Sequence, residues 1–282
     1  MKVTISSDST CDLPPELLQR YGIRIAPLFI IKDETQYRDG IDITPADVFE
    51  YVESGAGMTH SSALNVADYL GYFGEWLKDC DALVHICIGS HFSSCYDFAR
   101  LAAEELQNVY IIDSANLSSG SGLLVLEAAM MAEAGTAPGD IVEEIIKLIP
   151  RVEASFVIGN IKYLYLGGRC SGLAALGANL LRLNPCIEVI DGKMHVGKKY
   201  RGSFEKALMQ YISDRLSNRG DLDRKRIFVT FPPGIPEDLV SRSAEKIKSF
   251  FDFEEIVISE AGCVISNHCG PICLGILFFR ST

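Results

Sequence analysis

The sequence is short of basic residues relative to acidic ones, and it has no long apolar run. Lys and Arg number 26 against 37 Asp and Glu, which gives a formal net charge of -11. A negative surface of that size repels nucleic-acid phosphates and anionic lipid headgroups, so neither is expected as a partner. The longest apolar stretches, residues 123–132 and 272–279, are too short or interrupted to span a bilayer. We therefore do not expect an integral membrane protein.

A secretory signal is also missing from the first residues. Residues 1–5 are followed at once by Ser6, Ser7 and Asp8, so no apolar segment of signal-peptide length forms. The nine cysteines are odd in number and scattered, which suits reduced thiols better than a disulfide framework. Both observations predict a cytoplasmic protein.

Familiar catalytic and cofactor motifs are absent. There is no Walker A loop, no G-x-S-x-G elbow and no H-E-x-x-H, and the glycines at 120 and 122 lack the third glycine of a dinucleotide fingerprint because Val125 stands there. No cofactor is therefore expected. The densest thiol and imidazole group has no recognised zinc spacing, so we expect buried thiols and no metal at Cys263, His268, Cys269 and Cys273.

What the first half does contain is an alternation of β-branched apolar runs and amphipathic segments. Strands are predicted at residues 3–6, 23–31, 82–88, 109–112 and 155–158. Helices are predicted at residues 14–21, 45–54, 66–79, 94–107, 123–134 and 138–149. This β-α-β order predicts a mainly parallel sheet with helices on both faces.

The second half has a different pattern. A hairpin is predicted from residues 186–190 and 194–200, turning at Asp191-Gly192. Helices at 204–218 and 236–250 and strands at 226–231, 256–259 and 272–279 indicate a mixed or antiparallel sheet with helices. Because 282 residues are many for one core, we predict an α/β protein of two domains, residues 1–152 and 153–282.

Hydroxyl-rich loops stand where predicted strands end or helices begin. In open α/β sheets this edge binds ligands, and helix N-termini there favour small anions. Ser, Thr and Asp are also the preferred helix caps, so only convergence of several loops indicates a site. Arg169, after two glycines, and His268 would reach it from the second half. The loops are residues 7–10, 59–62, 89–94 and 113–114.

Several of these segments carry motifs in a fixed order along the chain. Residues 8–14, D-S-T-C-D-L-P, and residues 37–44, Y-R-D-G-I-D-I-T, are the clearest, followed by I-G-S-H-F-S-S-C-Y-D-F-A-R at 88–100. Shorter blocks follow at residues 58–63, 113–114, 163–169 and 268–271. Over essentially the whole chain, this series resembles the DegV family of bacterial fatty-acid-binding proteins.

The resemblance implies a long-chain fatty acid held between two α/β lobes as the bound ligand. It also implies a protein that is not itself an enzyme and that presents the carboxylate to a separate ATP-dependent fatty acid kinase, which forms an acyl phosphate. Carried over by position, the carboxylate contacts are Thr59, His60, Ser61, Ser93, Ser94, Arg169 and His268. Candidates for the acyl-chain lining, which suit a plain core equally well, are Phe29, Phe92, Leu164 and Leu173.

The sequence departs from the family pattern mostly at the polar end. A histidine stands where a second threonine is usual, and other substitutions flank the motif residues. These substitutions affect the expected length of the bound acyl chain and the docking of a kinase more than the fold. The identity of the acyl chain, the identity of the kinase and the oligomeric state are not predicted. The substituted positions are His60, Ser94, Cys95, Asn184, Ser266, Asn267 and Ile272.

Two other functions stay open on the sequence alone. One is a hydrolase or phosphotransferase that uses Ser93 or His268, although no nucleophile–base pair has a recognisable spacing. The other is a sensory module that binds a different apolar ligand, because one fold hosts many functions.

Overall fold

The computed structural model describes residues 1–170 and 183–281, in which strands and helices alternate. The strands, in chain order, are β1 (Val3–Asp8), β2 (Arg24–Ala26), β3 (Phe29–Lys32), β4 (Thr35–Arg38), β5 (His60–Ser62), β6 (Ala82–Cys87), β7 (Val109–Asp113), β8 (Val152–Ile158), β9 (Leu183–Ile190), β10 (Lys193–Arg201), β11 (Leu222–Phe231), β12 (Glu255–Glu260) and β13 (Cys273–Arg280).

The helices cover most of the segments between them. In the described ranges they are α1 (Pro15–Tyr21), α2 (Pro45–Glu53), α3 (Val66–Trp76), α4 (Cys95–Ala103), α5 (Ser119–Glu133), α6 (Pro138–Leu148), α7 (Lys162–Gly167), α8 (Phe204–Leu216), α9 (Glu237–Lys248) and α10 (Cys263–Cys269). Among these residues, no helix combines the length and the apolarity needed to cross a bilayer.

The first half folds around a four-stranded parallel sheet of order β2-β1-β6-β7. Helices α3 and α4 pack on one side of it, and α5 and α6 on the other. All residues of β6 are buried, as expected for a strand covered on both faces. The predicted α/β class and the parallel sheet are confirmed.

The second half contains a six-stranded mixed sheet of order β10-β9-β8-β13-β11-β12. Only the β11–β12 pair in it is parallel. The β9–β10 hairpin turns at Asp191 and Gly192, whose φ angles of 50° and 73° are those that an Asp-Gly turn requires. The predicted mixed sheet and its hairpin are therefore also confirmed.

The prediction of one strand at residues 23–31 was wrong. The chain leaves the parallel sheet after β2, and β3 instead pairs antiparallel with β4 and β5 in a separate three-stranded sheet. Pro27, which lies between the two strands, has no N–H to continue the ladder. The break places β5, with His60 and Ser61, beside β3.

Two short helices were also missed. Residues 162–167 form α7, and residues 263–269, expected to be only a patch of buried thiols, form α10. Each has fewer than eight residues, too few for a clear amphipathic period. Helix α10 packs against α2, α7, β3 and β5, so it joins the end of the chain to the three-stranded sheet.

Helix α5 lies between the two large sheets. It contacts β1 and β6 on one side and β8 and β13 on the other, and nearly all of its first ten residues are apolar or small and buried. A helix that is apolar all round is a buried helix. Its prediction began at residue 123, too late, because the small residues of its first turn do not read as a helix. The division into domains at residue 152 stays a prediction.

Candidate functional site

A cavity of about 460 Å³ opens at the edge where β6 of the parallel sheet ends. Its volume falls within the range of about 300–1,000 Å³ that is usual for small-molecule sites. Loops from the first half meet α10 and β10 from the second half around it. The lining residues are Leu28, Ser61, Ser62, Ala63, Ile88, Ser90, His91, Phe92, Ser93, Ser94, Leu117, Arg169, Met194, Val264, Ile265, His268 and Cys269.

The polar end of the cavity is built from β5 and the last turn of α10. Ser61 Oγ lies 2.8 Å from His268 Nε2. Thr59 is buried and donates its hydroxyl to Asn267 Oδ1. These two adjacent pairs join segments about two hundred residues apart in the chain. Asn267, one of the departures from the family pattern, is therefore bound to a predicted site residue.

His268 is a neutral histidine at physiological pH. Burial, the positive charge of Arg169 and the nearby His60 together lower the pKa of its imidazole to about 4. Its Nδ1 atom is buried and has no hydrogen-bond partner among the described residues. Nδ1 faces Gly167, where an added Cβ would overlap it. The ring thus fits only because residue 167 has no side chain.

Ser93 and Ser94 stand where α4 begins at the cavity. Ser93 Oγ accepts a hydrogen bond from the Cys95 backbone N–H at 3.3 Å and lies 3.0 Å from Cys95 Sγ. Ser94 is the N-cap residue of α4, but its side chain makes no capping hydrogen bond. The hydroxyl of Ser94 is therefore not occupied by capping, whereas the Cys95 N–H, the first of α4, is already bonded to Ser93.

The effect of the missing capping bond at Ser94 can be measured by comparison with Ser203, the N-cap residue of α8. Ser203 Oγ accepts the Lys206 N–H at the start of α8, so Ser203→Ala is expected to cost about 1 kcal/mol of unfolding free energy. The matched change Ser94→Ala should cost almost nothing, because no capping bond is lost. Urea denaturation of both variants checks this. Equal losses would mean that Ser94 also caps its helix.

The remaining predicted polar residues lie at the mouth. Arg169 is exposed, and its Nη1 donates to the Gly167 carbonyl at 2.6 Å. His60 is exposed on β5 and does not line the cavity, although it is close enough to affect His268. The structure thus brings Ser61, Ser93, Ser94, Arg169 and His268 together, with Thr59 and His60 just behind or beside them.

The predicted acyl-chain residues are more dispersed. Phe92 lines the cavity. Phe29 is partly buried on β3 and Leu164 fully buried on α7, where both pack into the hydrophobic core rather than against the cavity. Leu173 lies outside the described residues. The contact of each with a ligand stays a prediction.

The apolar wall consists mostly of residues that the sequence did not single out. Val264 and Ile265 precede His268 and Cys269 by four positions, so all four share one face of α10. Met194 reaches in from β10. The four-residue spacing indicates a helix face that lines the cavity only once residues 263–269 are known to form a helix. A small apolar cavity of about 30 Å³ adjoins the first through shared residues, namely Leu117, Ile265 and Cys269.

The aspartates of the two clearest motifs hold α10 in place. Asp12 Oδ1 accepts the Gly262 N–H and Asp39 Oδ1 accepts the Cys263 N–H, each at 2.8 Å. Both carboxyls are buried and satisfy N–H groups that the helix start leaves unpaired. Burial raises the pKa of Asp12 to about 8. These motifs therefore position the helix that carries His268.

Asp8 plays a similar part on the other side of the cavity. Its Oδ2 accepts the Ile88 N–H at 2.8 Å, which fixes the start of the loop that continues to Ser93. Burial raises the pKa of Asp8 to about 6. Within residues 1–170 and 183–281, no three Asp, Glu, His or Cys side chains are grouped to hold a metal ion. Asp8, Asp12 and Asp39 accept hydrogen bonds from backbone N–H groups.

Sequence comparison gives a consistent result over the full length. A model of the DegV family, described as uncharacterised proteins, matches residues 2–281. A DegV domain-containing protein of Caldanaerobacter subterraneus subsp. tengcongensis is 31% identical over 280 residues, covering 98% of each chain. A second such protein, from Deinococcus radiodurans, is 29% identical, again covering 98% of each chain.

Solved structures agree with the sequence comparison. A fatty-acid-binding DegV family protein from Thermus thermophilus superposes with a TM-score of 0.88 at 29% identity, covering 99% of this chain and 100% of that one. A stearic-acid-binding protein from Eubacterium ventriosum superposes with a TM-score of 0.83 at 25% identity, covering 98% of each. With its motifs, fold and full-length match, the chain belongs to the DegV family.

Proposed function

We propose that this protein binds a long-chain fatty acid, with the carboxylate at the Ser61–His268 end of the cavity and the chain along the apolar wall. The observation that carries the proposal is one cavity lined both by serine hydroxyls and by apolar side chains such as Ile88, Leu117 and Ile265. The Thermus and Eubacterium relatives, which bind fatty acid and stearic acid, support the same ligand class.

The energetics suit such a ligand. Burying about fifteen methylenes is worth on the order of 12 kcal/mol before ordering costs are subtracted. A carboxylate removed from water needs several hydrogen-bond donors, and charged or hydroxyl donors are the strongest. Ser61, Ser93, Ser94 and Arg169 line the cavity and are placed to supply them. Burial of the acyl chain provides the affinity, and the polar end of the cavity fixes the orientation of the ligand.

We further propose that the bound carboxylate is presented to a separate fatty acid kinase. Arg169, Ser94 and His91 line the cavity and are exposed, so the carboxylate would lie near the surface rather than deep in the core. The kinase would transfer the terminal phosphoryl group of ATP to it and form an acyl phosphate. In this scheme the protein is a non-catalytic carrier, and its cytoplasmic location stays a prediction.

One contact favours a second candidate, an acyl hydrolase. A serine hydroxyl 2.8 Å from an imidazole nitrogen is the distance of a nucleophile–base pair, and Ser61 and His268 have it. The hydroxyl of Ser93, a candidate nucleophile in the sequence, is bonded instead to Cys95. However, His268 Nδ1 has no acidic partner among the described residues to orient the ring. Turnover of acyl esters that is lost in Ser61→Ala would favour the hydrolase.

Native mass spectrometry of the freshly purified protein, with solvent extraction, tests the carrier proposal. We expect a bound species of fatty-acid mass that is released on denaturation. The double variant Ser93→Ala/His268→Ala should bind added fatty acid about tenfold or more weakly, because it loses two polar groups at the carboxylate end.

The control is His195→Ala on β10, an exposed histidine that does not line the cavity. Its affinity should equal that of the unchanged protein. A protein that is empty when purified and takes up no added fatty acid would refute the proposed ligand. A double variant that binds as tightly as the control would refute the placement of the carboxylate.

A further inference from the structure

The imidazole of His268 is held between two different neighbours. Its Nε2 edge faces Ser61 Oγ at 2.8 Å. Its Nδ1 edge is buried against Gly167, has no hydrogen-bond partner in the described part of the chain, and leaves no room for a Cβ. The Gly167 carbonyl is already bonded to Arg169. One edge of the ring therefore meets a polar atom and the other edge meets a Cα–H group.

These neighbours are not equivalent for a proton. A proton on Nδ1 would form a buried N–H group with no acceptor, pressed against a C–H group. This N–H group would lose its hydrogen bond to water and gain no hydrogen bond within the protein. A bare Nδ1 lone pair instead receives a weak Cα–H contact. The doubly protonated ring is excluded near neutral pH, because burial, Arg169 and His60 keep the pKa of His268 near 4. The remaining form carries its single proton on Nε2.

We infer that Gly167 is a positioning residue that fixes His268 as the Nε2–H tautomer, so that His268 donates to Ser61 and the Ser61 hydroxyl proton points into the cavity. This inference deepens the proposed function and, where it concerns the ligand, rests on it. The tautomer itself follows from the contacts of Gly167, His268 and Ser61 alone.

The direction of the hydrogen bond from His268 to Ser61 determines which ligand head group is favoured. Ser61 and Arg169 then both offer donors to the cavity, so a head group that only accepts hydrogen bonds is favoured. A carboxylate meets that condition. The N–H groups of a primary amide would instead face other donors and find no acceptor. In the same tautomer His268 cannot take the proton of Ser61, so Ser61 is not activated as a nucleophile.

The tautomer can be read from the protein labelled with 15N at histidine, in long-range 1H–15N correlation spectra at pH 7. We expect a protonated Nε2 and a bare Nδ1 for His268, whose signals are assigned by their loss in His268→Asn. His85, a fully buried histidine, has its Ser6 contact at Nδ1 and is an internal reference. A protonated Nδ1 on His268, or a mixture of both tautomers, would overturn the inference.

The ligand consequence is tested by comparing hexadecanoate with hexadecanamide. The unchanged protein should prefer the acid by about 30-fold or more, and Ser61→Ala should reduce that preference about tenfold. The matched control is Ser249→Ala, since Ser249 also donates to a backbone carbonyl, that of Lys246, but is exposed and does not line the cavity. Equal binding of acid and amide would overturn the head-group selection. A protein that binds neither compound would refute the proposed ligand, while the histidine spectrum would still decide the tautomer.

Discussion

Replacing Gly167 with alanine is expected to weaken fatty acid binding by about 30- to 100-fold, or about 2–3 kcal/mol. The φ angle of Gly167 lies outside the left-handed region, so its backbone accepts alanine without strain. The effect comes from the added Cβ, which would overlap His268 Nδ1. Because the Nδ1 edge is buried, the ring must turn or shift, and its bond to Ser61 is lost. Titration with a fluorescent fatty acid measures the change.

A matched glycine is available as the control. At Gly139, in α6, an added Cβ would meet no described atom within 4 Å, so Gly139→Ala should leave affinity unchanged. It should also stabilise the helix slightly, because alanine restricts the unfolded chain. If Gly167→Ala binds fatty acid as tightly as Gly139→Ala, His268 is not held by Gly167.

The free energy of unfolding is expected to fall by about 2 kcal/mol between pH 6.5 and pH 8, chiefly through Asp12. Burial raises the pKa of this carboxyl from 3.8 to about 8. Between those values the folded protein holds a proton that the unfolded chain has released. The stabilisation is therefore complete below pH 3.8 and is lost as the pH rises through 8.

Other buried groups act mainly outside this window. The pKa of Asp8 is raised only to about 6, so most of its effect is complete by pH 6.5. Burial lowers the pKa of His85 to about 3 and that of His268 to about 4. Histidines with a lowered pKa make the folded protein more stable as the pH rises toward 6.5, the ordinary pKa of histidine. Their contribution to stability changes little above that pH.

The variant Asp12→Asn should remove the decline. Its amide oxygen can accept the Gly262 N–H, and its amide N–H can donate to the Ser118 hydroxyl, the two groups that Asp12 contacts now. Urea denaturation at several values from pH 6.5 to 8 measures the slope. Asp42→Asn is the control, because Asp42 is exposed and pairing with Arg38 lowers its pKa to about 2. A slope that survives in Asp12→Asn would show that another group titrates.

Elements with their own periodicity were predictable, and those fixed by distant contacts were not. The buried run of β6 and the Asp-Gly turn of the β9–β10 hairpin carry their signals within a few residues. The start of α10 has no capping side chain of its own. Its N–H groups are satisfied by Asp12 and Asp39, and Asp12 precedes Gly262 by 250 positions. No local pattern could contain that information.

The candidate site likewise has a part that was predictable from the sequence and a part that was not. The resemblance to a family placed Ser61, Ser93, Arg169 and His268 in one site, and the structure gathers them around one cavity. The apolar wall was not predictable, since any apolar residue suits either a cavity or a core. The departures became interpretable only with their neighbours. Ile272, for example, packs where Gly159 leaves no side chain in its way.

The burial of α5 restricts how proteins of this fold can be recombined. Leu123 and Leu124 belong to the same apolar cluster as residues of both large sheets, such as Phe228 and Leu277 of the six-stranded sheet. An exchange of either half between relatives would place one face of this helix against side chains with which it did not evolve. Chimeras joined near residue 152 would therefore need matched substitutions on α5, whereas exchanges confined to the cavity-lining loops would leave that shared core intact.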